Sequence, residues 1–151
     1  PSPLAPDQAL EYHRLMLQQL AAEGETADGL VNQALFGHTL FARGRMREAQ
    51  VVFESIVARE PDEAFPYSML GSVYLAQNDL GRALALFDAA LTMDPTDPSA
   101  LVNRAEIRLR RGQAKLALKD LDRALEQSQQ GPGPFLARAR TLFSIARSLV
   151  R

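Results

Sequence analysis

The sequence predicts an all-α fold, a solenoid of three helical hairpins with one helix before them and one after. Two observations carry that prediction. The first is self-similarity at a period of 34: Gly44, Asn78 and Gly112 fall in one column, and Ala49, Ala83 and Ala117 in another. Phe53, Phe87 and Leu121 form a third, and Pro61, Pro95 and Gln129 a fourth. Gly37, Gly71 and Ala105 make a small-residue column, beside the bulkier Gln33, Tyr67 and Leu101. The second observation is helical spacing of apolar residues on both sides of each Gly/Asn position. One hairpin cannot bury its own apolar face, so copies at a fixed period must stack.

Taken in order, Pro1, Ser2, Pro3 and Pro6 read as a lead without structure. Asp7 can cap a helix over 7–22 that carries Ala9, His13, Met16, Leu17 and Leu20 on one stripe. "AAEGETADG", ending at Gly29, reads as a linker. The first unit spans 30–63, with a packing stripe of Gln33, Phe36, Gly37 and Leu40. The second, 64–97, has Tyr67, Leu70, Gly71 and Tyr74 on one face, then Asn78 and Gly81 as turn residues. Ala83, Leu84, Phe87, Ala90 and Leu91 line its second helix, and Pro95 stops it. The third unit, 98–131, places Arg104 and Arg108 at nominal core positions, which predicts looser packing there. Adding one period to Leu101, Ala105 and Arg108 reaches Phe135, Ala139 and Leu142. A helix opened by Gly133-Pro134 within 132–151 should therefore cap the stack, and the whole chain, 1–151, should form a single domain.

Composition narrows the chemistry. The chain of 151 residues has no cysteine, which removes disulfides, zinc-thiolate sites and thiol nucleophiles. Neither His13 nor His38 has a metal-ligand partner at helical spacing, and "GPGP" at 131–134 lacks the Lys and Ser/Thr of a phosphate loop. Asp62, Glu63, Asp94 and Asp97 flank prolines at helix ends and suit turn and cap duty. The expectation is a protein without catalysis, cofactor or metal. With no signal-peptide pattern or long apolar run, it is expected in the cytoplasm. Charge is uneven: residues 1–97 carry 6 Lys/Arg against 14 Asp/Glu, and residues 98–151 carry 11 against 4. The basic half admits weak nucleic-acid binding, but only Phe135 and Phe143 offer it aromatic rings.

The "Y..LG..Y" of Tyr67, Leu70, Gly71 and Tyr74, followed by Ala83, Phe87, Ala90 and Pro95, resembles the tetratricopeptide repeat. That resemblance implies a right-handed superhelix whose first helices line a concave groove. A second stripe on those helices is apolar where bare solvent would favour polar residues. It holds Val31, Ala34, Leu35, His38, Phe41 and Ala42 in the first unit, then Phe65, Met69 and Leu75 with Ser68 and Ser72 in the second. The third unit offers Val102, Asn103, Glu106, Leu109 and Arg110. Val31, Leu35, His38, Phe41, Phe65, Met69, Ser72, Leu75, Val102 and Glu106 are thus the expected partner-binding residues. The carboxylate clamp of some family members is matched only by Asn103, since its other positions hold Ala34, His38, Ser68 and Ser72.

The plan as a whole, over about residues 7–151, resembles class II chaperones of bacterial type III secretion. That resemblance implies a translocator segment held in the groove and dimerisation through the N-terminal helix. The expected function is a peptide-binding chaperone or adaptor. The alternative is a scaffold subunit that assembles head to tail through its acidic and basic ends.

Overall fold

A computed structural model describes residues 27–127 and 135–150, together with Leu15 and Gln18, which are helical. Most of the helix expected over 7–22, and the Gly133-Pro134 opening, lie outside the described residues. The described residues form seven helices and no strand: α1 (Ala27–Ala42), α2 (Met46–Arg59), α3 (Ala64–Ala76), α4 (Leu80–Met93), α5 (Pro98–Arg110), α6 (Ala114–Gln127) and α7 (Leu136–Leu149). They divide into two compact units, residues 1–61 and 62–151. In the first, α1 packs on α2; in the second, α3 pairs with α4 and α5 with α6, α7 lies against α5 and α6, and α3 also touches α5.

The turn column explains why each first helix stops. Gly44, Asn78 and Gly112 adopt φ of 77°, 61° and 73°, a left-handed conformation open to Gly and, at some cost, to Asn. The amide after each donates to a carbonyl five residues back: Arg45 to Leu40 at 2.9 Å, Asp79 to Tyr74 at 2.9 Å and Gln113 to Arg108 at 2.8 Å. This Schellman arrangement satisfies carbonyls that the helix end would otherwise leave bare. One period further on stands Ala146, whose Cβ disfavours that conformation, and there α7 runs straight through.

Around the ends of α4 and the start of α5, local side-chain bonds set the limits. The Asp79 carboxylate accepts from the Arg82 amide at 3.2 Å, and Asp97, ahead of Pro98, accepts from the Ser99 amide at 3.0 Å. Asp94 folds its side chain onto the Thr96 amide at 3.1 Å, closing the turn ahead of α5. Of the four acids expected in cap and turn roles, Asp94 and Asp97 make such bonds, while Glu63 stands at the start of α3 without a side-chain cap bond. Gly81 differs from its expected turn role, because Asp79 caps the helix two residues earlier and leaves Gly81 inside α4. Gly29, expected in a linker, is buried within α1, and α7 begins at Leu136 with Phe135 as its cap.

Packing turns on a pair of columns. A Cβ on Gly37 would lie 2.8 Å from the Phe53 ring, and one on Gly71 would lie 2.8 Å from the Phe87 ring. Both rings are fully buried, so neither can swing aside. Glycine therefore lets each ring fill the space directly against the neighbouring backbone. In the third unit Ala105 and Leu121, both fully buried, replace the pair. One methyl added on the first helix is matched by a smaller side chain on the second, which keeps the columns' volume near constant.

Arg104 and Arg108 do not loosen that unit. α5 buries Ala100, Leu101, Val102, Asn103, Ala105 and Ile107. Both guanidiniums turn to Asp120 of α6, which is only 3% exposed: Arg104 binds it at 2.6 and 2.9 Å, and Arg108 at 2.7 Å. Arg104 also reaches Asp88 of α4 at 2.9 Å. Burial works against the Arg104 charge, but hydrogen bonds and attraction from Asp120, then Asp88, outweigh it and hold its pKa above the ordinary value. The third hairpin is closed by ions where the second is closed by a ring.

Two expectations follow. Gly71→Leu should destabilise by about 2–4 kcal/mol through overpacking, whereas Gly81→Ala, with nothing within 4 Å of the new Cβ, should be neutral or stabilising in urea denaturation. Asp120→Ala strands two half-buried guanidiniums and should cost about 3–5 kcal/mol by the same measurement. A loss below about 1 kcal/mol would mean that solvent already carries those charges.

Candidate functional site

First helices have one face against their own second helix, and the opposite stripe is what remains for a partner. In residues 1–61, α1 exposes Val31 at 60% and Leu35 at 61%, with His38 exposed and Phe41 half-buried. Phe36, expected in the packing stripe, is also exposed, whereas Gln33, Gly37 and Leu40 are buried as expected. Gln33 accepts a hydrogen bond from Arg59 of α2 at 3.4 Å, which accounts for a polar residue in that column.

In residues 62–151 the stripe is built from α3, α5 and α7. Phe65 is 55% exposed at the start of α3, and Met69, Ser72 and Leu75 follow it half-buried. Val102 departs from expectation: it is fully buried, because α5 is covered on more sides than α3, and no partner can reach it without repacking. Asn103, beside it, is 5% exposed and organises the polar part of the face. Its amide nitrogen donates to Ser72 Oγ of α3 at 3.2 Å, and its carbonyl oxygen accepts from Arg138 of α7 at 2.6 Å. Ser72 in turn donates to the Ser68 carbonyl at 3.0 Å.

Glu106, one turn along α5, pairs with Arg138 and with Arg110, and Arg110 also donates to Asn78 at 3.4 Å. These bonds tie three helices together along one line. Burial lowers the Arg138 pKa from its ordinary value. Arg138 was not among the expected residues, since its partners lie 32 and 35 positions away and nothing local marks it. The arrangement is an apolar strip beside a fixed polar ladder. Among the described residues no three His, Cys, Asp or Glu side chains gather to hold a metal, and no helix is long and apolar enough to cross a membrane.

Comparison with known proteins agrees with this geometry. The tetratricopeptide repeat family profile matches residues 68–132. Hsp70-Hsp90 organizing protein 3 of Arabidopsis thaliana is 32% identical over 81 residues, 54% of this chain and 14% of that protein. Human tetratricopeptide repeat protein 36 is 38% identical over 79 residues, 46% of this chain and 42% of that protein. The chain thus spans less than half the length of either relative.

Among solved structures, PcrH in complex with the chaperone binding region of PopD superposes with a TM-score of 0.74 at 20% identity, covering 83% of this chain and 96% of that one. The Yersinia enterocolitica type III secretion chaperone SycD, bound to a peptide of the translocator YopD, gives 0.70 at 17% identity, covering 82% and 95%. The TPR2B domain of yeast Sti1 in complex with an Hsp70 peptide gives 0.71 at 20%, covering 79% and 96%. Residues 68–132 match the tetratricopeptide repeat family, and the chain has the all-α fold of these solved structures.

Proposed function

We propose that this chain is a non-catalytic peptide-binding module, a chaperone or adaptor that holds an extended segment of a partner protein. The observation that carries the reading is the α3 face, where Phe65 stands in solvent and continues into half-buried Met69 and Leu75. An apolar side chain of the partner gains contact with these three residues and leaves water. The bonds from Ser72 through Asn103 to Arg138 already hold α3, α5 and α7 in place, so little ordering remains to oppose binding. In the first unit, taken by itself, Val31, Leu35, His38 and Phe41 on α1 form a second candidate face.

The reading extends to a translocator chaperone of type III secretion. Its support is the architecture shared with PcrH and SycD, both solved with translocator segments. The finer assignment includes a cytoplasmic location and a homodimer through residues 7–22.

A titration against short extended peptides that differ in one apolar residue tests the module. Phe65→Glu and Leu35→Glu should leave the circular dichroism spectrum unchanged, because both side chains are exposed. Each should weaken binding by about 30- to 1,000-fold, since an apolar anchor would then meet a carboxylate. Arg111→Glu, in the turn after α5, should change affinity little at moderate salt. Normal binding by both folded groove variants would remove the α1 and α3 faces from the site. A separate titration with a translocator segment tests the secretion role, and failure there alone would leave the general module standing.

A further inference from the structure

Helix α7 ends later than its place in the repeat requires. α3 and α5 end at Ala76 and Arg110, one period apart, and the next such end would be Ser144. α7 continues to Leu149, about 7 Å further at 1.5 Å per residue. Within this overrun Ala146 is fully buried, while Ile145 and Leu149, four apart on one face, are 46% and 62% exposed. α7 takes the first-helix position of a fourth hairpin and runs with α5, so its free end lies at the end of the unit where α5 turns into α6. The opening turn of α6 exposes Leu116 there.

Cations predominate around this end. Arg111, Lys115, Lys119 and Arg147 are exposed, and residues 107–119 and 136–150 contain no Asp or Glu, while Arg110 is already paired with Glu106. We propose that the α7 overrun, with Leu116, is a docking surface for an acidic amphipathic helix of a partner protein. Two features fit that occupant. The apolar pair at helical spacing suits the apolar stripe of such a helix. The exposed cations Arg111, Lys115, Lys119 and Arg147 select glutamates and aspartates around that stripe. Phe135 and Phe143 are half-buried, which leaves no exposed ring for stacking bases.

Fluorescence anisotropy on the full chain tests this, using a labelled peptide of roughly 18 residues with leucines on one helical face and glutamates on the other. The expected result is saturable binding that weakens as salt rises. It should fall at least about tenfold in Ile145→Ser/Leu149→Ser and, independently, in Lys115→Glu/Lys119→Glu. Circular dichroism confirms that both variants fold. Phe65→Glu should bind this peptide normally, which separates the surface from the α3 face. Three outcomes would overturn the proposal. One is equal binding of a peptide with lysines replacing the glutamates. Another is wild-type affinity in both folded double variants. The third is that the Ile145/Leu149 variant instead loses binding to phosphatidylserine vesicles, to single-stranded DNA or to a second copy in sedimentation.

Discussion

Everything else in the hairpins depends on how closely two helix backbones can approach. At Gly37 and Gly71 the missing Cβ lets a phenylalanine ring press against the neighbouring helix, and that contact sets the spacing of each pair. With the spacing set, the turn column decides where the chain reverses, and the rest of each first helix is directed outward. The exposed strips on α1 and α3 are therefore products of tight packing on the opposite side. A helix held at that distance by backbone and ring does not need its outer residues for stability, which frees them for recognition.

Much of this was legible in the sequence because it repeats. Glycine beside phenylalanine is a weak sign once and a strong one when it returns at a fixed interval, and the left-handed turns at Gly44, Asn78 and Gly112 are visible for the same reason. What the period could not reveal was chemistry that differs between units. Arg104 and Arg108 looked like charges misplaced in a core, because their partner Asp120 stands on another helix and has no signature of its own. Gly29 and Gly81 looked like breakers, but helix limits here are set by Asp caps and positive φ rather than by glycine content.

The candidate site was legible to a similar depth. Helical spacing found the apolar stripe, and Val31, Leu35 and Phe65 are exposed as a recognition surface needs. Spacing places residues on a face but does not report how much of that face a neighbour covers. Val102 shares the stripe's position and is sealed all the same, because α5 has companions on both sides. The same effect hid Arg138, whose importance arises only when α7 comes to lie beside α5.

The buried charges of the third hairpin have a consequence for how such a chain can change over generations. Asp120 answers two arginines, and Arg104 answers two aspartates on different helices. No member can be exchanged alone without leaving an ion in a poor environment, yet the set could be replaced together by apolar residues of similar volume. The ring contact of the second hairpin can instead change as a pair of sizes, a methyl gained against a ring lost, as Ala105 and Leu121 show at the same columns of the third. The ion-closed hairpin has no such path. It is expected to be inherited as a block, a lineage mark within the repeat.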